Sequence, residues 1–210
     1  MQPSLSVIIL AGGQSSRMGR DKALIRVDGT PMLQRTCEIA MQCAPQVFVV
    51  TTGVRPYSGI VPARCSVIEE SPLKGESKPQ GPLVGFVQGL TQTQAEWVLL
   101  LACDLPRLSQ AVLQRWMLQL MQVNGAMALL PKSQKGWEPL CGFYRTDCLP
   151  SLTQFMNQGG RSLQAWLAQA SVQAIQFSDD PNIKRQEQAM LFNCNTPEDL
   201  LQVRGVLDML

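Results

Sequence analysis

The sequence contains no histidine among its 210 residues. This absence excludes Ser-His and Cys-His catalysis, metal sites built on imidazole, and the usual general base near neutral pH. Any metal ion that the chain binds is therefore expected to have oxygen ligands, a preference that suits Mg²⁺. Any chemistry that the chain performs must also proceed without an imidazole.

Charge and long apolar runs are scarce as well. Charged residues make up 16% of the chain and the net charge is +2, with no long run of one sign. This composition argues against a general nucleic-acid surface, but it leaves room for a small anionic ligand. No apolar run approaches the roughly 20 residues of a membrane span, and the N-terminus lacks the basic region of a signal peptide. We therefore expect a cytoplasmic protein that binds neither nucleic acid nor membrane.

The seven cysteines are odd in number and form no CxxC pair. Most of them lie in apolar segments, so we expect small buried side chains in a reducing compartment rather than a disulfide framework. Apolar residues make up 45% of the chain, which is enough for a sizeable core. The length suits a single domain that spans residues 1–210.

Short apolar runs alternate with helical patterns along the chain. Strands are predicted at 7–10, 46–52, 65–69, 97–102, 126–130, 140–144, 172–177 and 190–194. Helices are predicted at 31–44, 82–91, 110–123, 162–170 and from 196 onwards, the first and last with a Thr-Pro pair as a capped start. This alternation predicts an α/β fold with a single Rossmann-like, mostly parallel sheet and helices on both faces.

In such sheets, ligands bind beyond the carboxyl ends of the strands. The glycine-rich loop at 11–22 follows the first strand, and Asp104 follows the strand at 97–102. Both are therefore expected at one edge of the sheet. The segment at 71–80 (SPLKGESKPQ) is the most loop-like stretch, and it is either a flap over the site or a solvated connection.

The opening stretch VIILAGGQSSRMGRDKAL matches neither of two familiar phosphate-binding motifs. Five residues separate Gly13 and Gly19, where a Walker A motif has four, and the GxGxxG spacing of the dinucleotide fingerprint is absent. Its glycines still let backbone N–H groups approach a phosphate, and Arg17 and Lys22 supply positive charge. We interpret the stretch as a phosphate-binding turn; the alternative is a tight β–α turn with solvated charges.

The stretch LAGGQSSRMGRDKAL resembles the signature loop of the nucleotidyltransferases related to molybdenum cofactor guanylyltransferase. Further segments resemble that family in the same order along residues 5–202: GPLVG (81–85), LLLACDLP (99–106), PLCGFY (139–144) and FNCNTPEDL (192–200). The resemblance implies a fold of the nucleotide-diphospho-sugar transferase type. It also implies Mg²⁺-dependent transfer of GMP from GTP to the terminal phosphate of the molybdenum-molybdopterin cofactor, with pyrophosphate as the second product.

That chemistry agrees with the missing histidine, because the attacking phosphate is already anionic at pH 7. The catalytic task is to position two anions and to neutralise charge at the α-phosphorus. Asp104 is predicted to be the Mg²⁺ ligand, Lys22 to contact the phosphates, and Arg17 to assist in neutralising charge. The alternatives are an aspartate that caps a turn and two solvated cations.

The resemblance implies which residues bind the nucleotide, namely Leu10, Ala11, Gly12, Gly13, Lys22, Glu70 and Asp104. Glu70 stands where the family usually has an aspartate, and Thr51 lies near the place where it often has an asparagine. Both departures belong to the nucleobase half of the site. They weaken the assignment of guanine more than the assignment of nucleotidyl transfer.

The second substrate is expected beside a further set of residues, namely Gly81, Gly85, Arg161, Asn193 and Asn195. The two glycines would permit close approach of that substrate, or they serve turn formation and helix packing. The asparagines either bind ligands or satisfy backbone groups. The implied partners are GTP and the molybdopterin cofactor, with molybdoenzyme apoproteins and other cofactor-assembly proteins as further candidates.

Three alternative functions stay open. A related enzyme would transfer another nucleotide, such as cytidylate, to the same pterin. A sugar-phosphate nucleotidyltransferase would use a different acceptor. A non-catalytic nucleotide-binding partner would deliver the cofactor to apoenzymes, although Lys22 and Asp104 argue against it because simple binding does not require a metal ligand at the α-phosphate.

Overall fold

The computed structural model describes residues 3–12, 21–52, 57, 59–73, 75–76 and 81–207, with the side chains of 197 and 204–207 excepted. The strands are β1 (Leu5–Leu10), β2 (Arg26–Val27), β3 (Thr30–Pro31), β4 (Gln46–Thr52), β5 (Cys65–Glu70), β6 (Trp97–Ala102), β7 (Ala128–Leu130), β8 (Lys132–Ser133), β9 (Gly136–Trp137), β10 (Cys141–Arg145) and β11 (Val172–Ala174). The helices are α1 (Met32–Cys43), α2 (Pro82–Leu90), α3 (Gln110–Met117), α4 (Leu149–Asn157), α5 (Leu163–Leu167), α6 (Pro181–Met190) and α7 (Pro197–Leu207). Within these ranges no helix combines the length and apolar character that crossing a membrane requires.

Seven strands form the central sheet in the order β11-β7-β10-β6-β1-β4-β5. Its pairings are parallel except for those of β10, which runs antiparallel to β6 and β7. In β1, Leu10 pairs with Val50 of β4 on one side and with Ala102 of β6 on the other. The three strands therefore end at one edge of the sheet, and the predicted mostly parallel α/β fold is confirmed.

Strand β1 supplies buried side chains to both faces of the sheet. Val7 and Ile9 belong to a core shared with α1 and α3, whereas Ile8 and Leu10 belong to a second core shared with α2, α4 and α5. Burial on both faces explains why the strand is a continuous apolar run instead of an alternating one. The helices on both faces agree with the prediction.

Several local predictions differ from the structure. Thr30 and Pro31 pair with Arg26–Val27 as part of a small ladder, so Thr30 does not cap α1, which begins at Met32 without a side-chain cap. The predicted strand at 190–194 is wrong, because α6 ends at Met190 and the chain then continues irregularly. The helix predicted at 110–123 changes to a 3₁₀ turn at Leu118–Gln122. Helix α4 has no counterpart among the predictions.

Helix α6 carries a fully buried carboxylate, Glu187. Its two oxygens accept hydrogen bonds from the Trp116 indole N–H at 3.0 Å and from the Ser178 backbone N–H at 2.7 Å. These bonds satisfy the buried charge and join α6 to α3. The segment that follows α6 is thereby placed so that the Cys194 N–H donates to the Asp104 carbonyl at 2.9 Å.

All seven cysteines are free and buried, as the sequence predicts. Burial raises the pKa of each thiol, for example that of Cys141 to about 12. Each thiol therefore stays protonated near neutral pH. The cysteines are packing residues instead of nucleophiles.

Candidate active site

A cleft of about 170 Å³ lies beyond the carboxyl ends of β1 and β6. The Ala11 N–H donates to the Val50 carbonyl at 2.9 Å and the Cys103 N–H donates to the Leu10 carbonyl at 3.2 Å, so the sheet continues to the rim of the cleft. The described residues that line it are Leu10, Ala11, Gly12, Asp21, Lys22, Pro82, Ala102, Cys103, Asp104 and Leu140. This is the edge at which the sequence predicts a ligand.

Lys22 brings together two polar side chains from distant parts of the chain. Its Nζ lies 3.2 Å from Asp104 Oδ2 and donates to Asn195 Oδ1 at 2.5 Å. The side chains of Lys22 and Asp104 are each 18% exposed. Because both charges are partly removed from water, their electrostatic effect on a neighbouring ligand is screened less than on an open surface.

The turn that carries Lys22 is held by two residues, Asp21 and Tyr57, that are not among the predicted site residues. Asp21 Oδ1 accepts from the Ala23 N–H at 3.1 Å and so caps the 3₁₀ turn Lys22–Leu24. The Tyr57 hydroxyl lies 2.9 Å from Asp21 Oδ2 and 3.1 Å from the Ala11 carbonyl oxygen. Tyr57 therefore links the turn to the end of β1. An acidic residue directly before Lys22 is a visible capping signal, whereas nothing in the sequence marks Tyr57.

The start of α7 places Asn195 beside Lys22. Asp199 Oδ2 accepts from the N–H groups of Asn195 at 2.7 Å and Thr196 at 2.8 Å, and the Asp199 N–H donates to Thr196 Oγ1 at 3.2 Å. These hydrogen bonds, that of Asn195 first, lower the pKa of Asp199. The reciprocal pattern is a capping box, so the helix start predicted at 196 is confirmed.

Comparison with known proteins agrees with this geometry. Residues 7–174 match the MobA-like NTP transferase domain. This chain belongs to that family. The probable molybdenum cofactor guanylyltransferase of Trichormus variabilis is 52% identical over 98% of this chain and 93% of its own length. The protein of the same name from Synechococcus elongatus is 40% identical over 93% of this chain and 96% of its own.

A solved structure shares the fold. Molybdopterin-guanine dinucleotide biosynthesis protein A from Archaeoglobus fulgidus aligns with a TM-score of 0.76, at 22% identity, over 98% of this chain and 100% of its own. The similarity confirms the predicted nucleotidyltransferase fold of this MobA-like chain.

Most of the predicted nucleotide-binding residues lie at the cleft. Leu10, Ala11, Gly12, Lys22 and Asp104 all line it. A Cβ at position 12 would lie 2.8 Å from Cγ2 of Thr52, so only glycine lets the backbone pass the end of β4. Gly13 and Arg17 lie outside the described residues, and their roles stay predictions.

Glu70 ends β5 and is 8% exposed, but it is not among the described residues that line the cleft. Its Oε2 would lie 3.3 Å from a Cβ at Gly85, and its buried Oε1 has no hydrogen-bond partner within the described chain. Burial raises the pKa of this carboxyl from its ordinary 4.5 to about 7. Near neutral pH the group therefore holds a proton for about half of the time.

The residues predicted for the second substrate have diverse surroundings. Gly81 caps α2 with φ of 79°, a conformation that favours glycine, and its missing Cβ would lie 3.5 Å from the Arg161 carbonyl. Gly85 is buried on α2 and packs against β4 and β5. Asn193 Nδ2 donates to the Leu191 carbonyl at 3.4 Å, whereas Asn195 contacts Lys22. Gly85 and Asn193 thus make structural contacts, and Gly81 and Asn195 lie closer to the cleft.

The raised pKa of Glu70 predicts a pH-dependent stability. As the pH rises above 4.5, the unfolded chain releases the proton that the folded carboxyl still holds, so stability falls until the folded group has ionised above pH 7. The free energy of unfolding of Glu70→Gln, relative to that of the wild type, should therefore increase by about 1–3 kcal/mol when the pH is raised from 5 to 8. Urea unfolding at both pH values measures this gain. Glu69→Gln, an exposed neighbour on the same strand, should show no such gain, and equal behaviour of the two variants would contradict the assignment.

The oxygen donors around Lys22 suit a magnesium ion carried by a substrate. Among the described residues, no group of three or more histidine, cysteine or acidic side chains could hold a metal ion by itself. Mg²⁺ usually keeps several waters and binds one or two carboxylates together with substrate phosphates. The carboxylate of Asp104 and the amide oxygen of Asn195, both in contact with Lys22, fit that donor set.

Proposed function

We infer that this chain is a molybdenum cofactor guanylyltransferase. It transfers GMP from GTP to the terminal phosphate of the molybdenum-molybdopterin cofactor, and it releases pyrophosphate. The observation that carries this inference is that Lys22 and Asp104 meet in the lining of the cleft and that Lys22 also contacts Asn195. It is supported by relatives of that name, which match 93% or more of the chain.

Lys22 is the proposed phosphate-binding cation. Its ammonium group already faces a carboxylate and an amide oxygen, and the more negative triphosphate would draw the same group toward the nucleotide. The backbone of Leu10, Ala11 and Gly12 offers close approach for the nucleoside. Arg17 is proposed to add a second positive charge.

Asp104 is proposed to hold Mg²⁺, with Asn195 as a neighbouring oxygen donor. When bound, the ion supplies positive charge that stabilises the charge developing on the phosphates. The attacking phosphate needs no general base because it is ionised at pH 7. The work left for the protein is to place the two anions in line and to keep their repulsion low.

Glu70 is the proposed reader of the nucleobase. Its unpartnered Oε1 is an acceptor, and guanine presents two neighbouring N–H donors on its base-pairing edge.

Molybdoenzyme apoproteins and other cofactor-assembly proteins are proposed as further partners. A cytoplasmic location is also proposed, and the seven free thiols support it because such thiols persist in reducing compartments.

The deciding experiment measures transfer from GTP, CTP, ATP and UTP to molybdenum-loaded molybdopterin, each with and without Mg²⁺. We expect a dinucleotide product only in the reaction that contains both GTP and Mg²⁺, and this product is the guanine dinucleotide. Thermal unfolding with the same nucleotides gives an independent readout, because a ligand at 100 times its dissociation constant stabilises the fold by about 2.7 kcal/mol.

Other outcomes favour the other functions. Selectivity for CTP would indicate cytidylyl transfer to the same pterin. Transfer to a sugar phosphate in place of the pterin would indicate a sugar-nucleotide synthase. Nucleotide binding without transfer to any acceptor would favour the cofactor-delivery partner.

A further inference from the structure

Tyr57 contacts both ends of the glycine-rich loop at 11–22. Its hydroxyl lies 3.1 Å from the carbonyl oxygen of Ala11, directly after β1, and 2.9 Å from Oδ2 of Asp21, near the other end of the loop. Ala11 and Asp21 both line the cleft. One hydroxyl therefore joins the two residues between which the loop begins and ends.

Tyr57 itself is held in place from the side of the core. Its side chain is 4% exposed and belongs to the core that β1 shares with α1 and α3. Its carbonyl oxygen accepts hydrogen bonds from the N–H groups of Ile60 and Val61, both at 3.0 Å. Because the ring and the backbone are both fixed, the hydroxyl can hold the groups that it contacts.

Asp21 connects this hydroxyl to Lys22. One carboxylate oxygen, Oδ1, accepts from the Ala23 N–H at 3.1 Å and so caps the 3₁₀ turn that begins at Lys22, while the other oxygen faces Tyr57. The Lys22 ammonium leaves this turn toward Asp104, 3.2 Å away. The position of the carboxylate of Asp21 therefore affects where the ammonium lies in the cleft.

The hydroxyl holds Asp21 more strongly than it holds Ala11. It has one proton and faces two acceptors, and the charged carboxylate forms the stronger hydrogen bond. Ala11 is also held independently, since its N–H donates to the Val50 carbonyl at 2.9 Å. Removal of the hydroxyl should therefore disturb the turn of Lys22 and leave the end of β1 in place.

We propose that Tyr57 is a positioning residue for nucleotidyl transfer: its hydroxyl holds Asp21, and through Asp21 it sets the place at which the Lys22 ammonium meets the phosphates of the nucleotide. This proposal rests on the proposed function. A cation stabilises the transition state best when it needs no rearrangement during the reaction. A misplacement of about 1 Å can cost about a hundredfold in rate. Tyr57 touches no reacting atom, so its effect on the reaction depends on Lys22.

The kinetic test compares Tyr57→Phe with Tyr144→Phe, which alter the only two tyrosines of the sequence. The control also removes a hydroxyl from a fully buried side chain, since Tyr144 donates to the Pro139 carbonyl at 2.7 Å. Each variant should lower the thermal unfolding midpoint by about 2–4 °C. Tyr57→Phe alone should lower the single-turnover rate of GMP transfer, by about five- to thirtyfold, with the KM for molybdenum-loaded molybdopterin changed less than about twofold. An unchanged rate in Tyr57→Phe, or an equal loss in both variants, would overturn the proposal.

A binding cycle separates this proposal from the proposed function. Inorganic triphosphate with Mg²⁺ is titrated by calorimetry into the wild type, Tyr57→Phe, Lys22→Met and the double variant. Tyr57→Phe should raise the Kd about three- to tenfold, and Lys22→Met should raise it further. The double variant should match Lys22→Met, because a positioning residue has no further effect once the group that it positions is absent.

The cycle contains neither a nucleobase nor a transfer step. If no GMP is transferred and the double variant still matches Lys22→Met, the proposed function fails and the positioning role of Tyr57 survives. Losses that multiply in the double variant would show that Tyr57 acts by a route other than Lys22. That result overturns the proposal, as does an unchanged Kd in Tyr57→Phe or a wild type that does not bind triphosphate.

Discussion

Replacing Asp104 with asparagine should lower kcat for GMP transfer by about a thousandfold at saturating GTP and Mg²⁺. The amide keeps the size of the side chain and leaves the backbone carbonyl, which accepts from Cys194, unchanged. It removes the negative charge that is proposed to bind the cation and that also faces Lys22 at 3.2 Å. Steady-state rates across a range of Mg²⁺ concentrations measure the loss.

The matched control is Asp147→Asn, an exposed aspartate in the turn that follows β10. It should keep the wild-type rate. In Asp104→Asn the part of the GTP-induced thermal shift that depends on Mg²⁺ should disappear, while the part measured without metal remains. A variant that retains both its rate and its Mg²⁺ dependence would show that Asp104 merely shapes the turn.

Replacing Lys22 with methionine should lower kcat about a hundred- to thousandfold, because the site loses the cation proposed to stabilise the phosphates in the transition state. Methionine preserves the length and apolar stem of the side chain. Lys22→Arg should recover little of the rate, since a planar guanidinium does not reproduce a point charge held between Asp104 and Asn195. Rapid-quench measurement of a single turnover isolates the chemical step.

Lys184→Met removes an exposed lysine from α6 and should have no effect on the single-turnover rate. A raised KM for GTP with an unchanged kcat in Lys22→Met would contradict this prediction. It would show that Lys22 binds the nucleotide equally strongly in the ground state and in the transition state. The double variant with Asp104→Asn should lose less than the product of the two single losses, because the two side chains contact each other.

The central strands could be predicted from sequence because their signals do not depend on distant partners. The runs at 46–52 and 97–102 have the observed bounds. The second is a continuous apolar segment because its strand is buried on both faces, and the first is rich in residues that favour strands. Thr30-Pro31 carries an equally clear local signal for a helix start. In the structure these two residues instead pair with Arg26–Val27. A capping rule considers only neighbouring residues along the chain, so it does not predict this pairing.

Helix α6 was missed for a different physical reason. Its inward face repeats at Ile183, Glu187 and Met190, and Glu187 is fully buried with Met190. Glu187 interrupts the apolar pattern because a charged residue is normally expected on the exposed face of a helix. The sequence does not show that Trp116 and Ser178 donate hydrogen bonds to its buried carboxylate. The apolar residues that follow Glu187 then suggest a strand at 190–194.

The candidate site divides in the same way. The loop that ends at Lys22 and the residue Asp104 follow neighbouring strands, so topology predicts that they lie at the same edge of the sheet. Their direct contact is seen only in the structure. Asn195 was assigned from family resemblance. Tyr57 comes from a connection without a regular pattern, so its contact with Asp21 depends on the folded path of the chain.

The contact between Lys22 and Asn195 joins residues that are 173 positions apart. Contacts over such distances form late in folding, because a long loop must close before they contribute any favourable energy. The sheet can therefore be complete while the start of α7 is still undocked. During refolding, circular dichroism should recover before catalytic competence does, and the interval between the two reports the docking of the segment that carries Asn195.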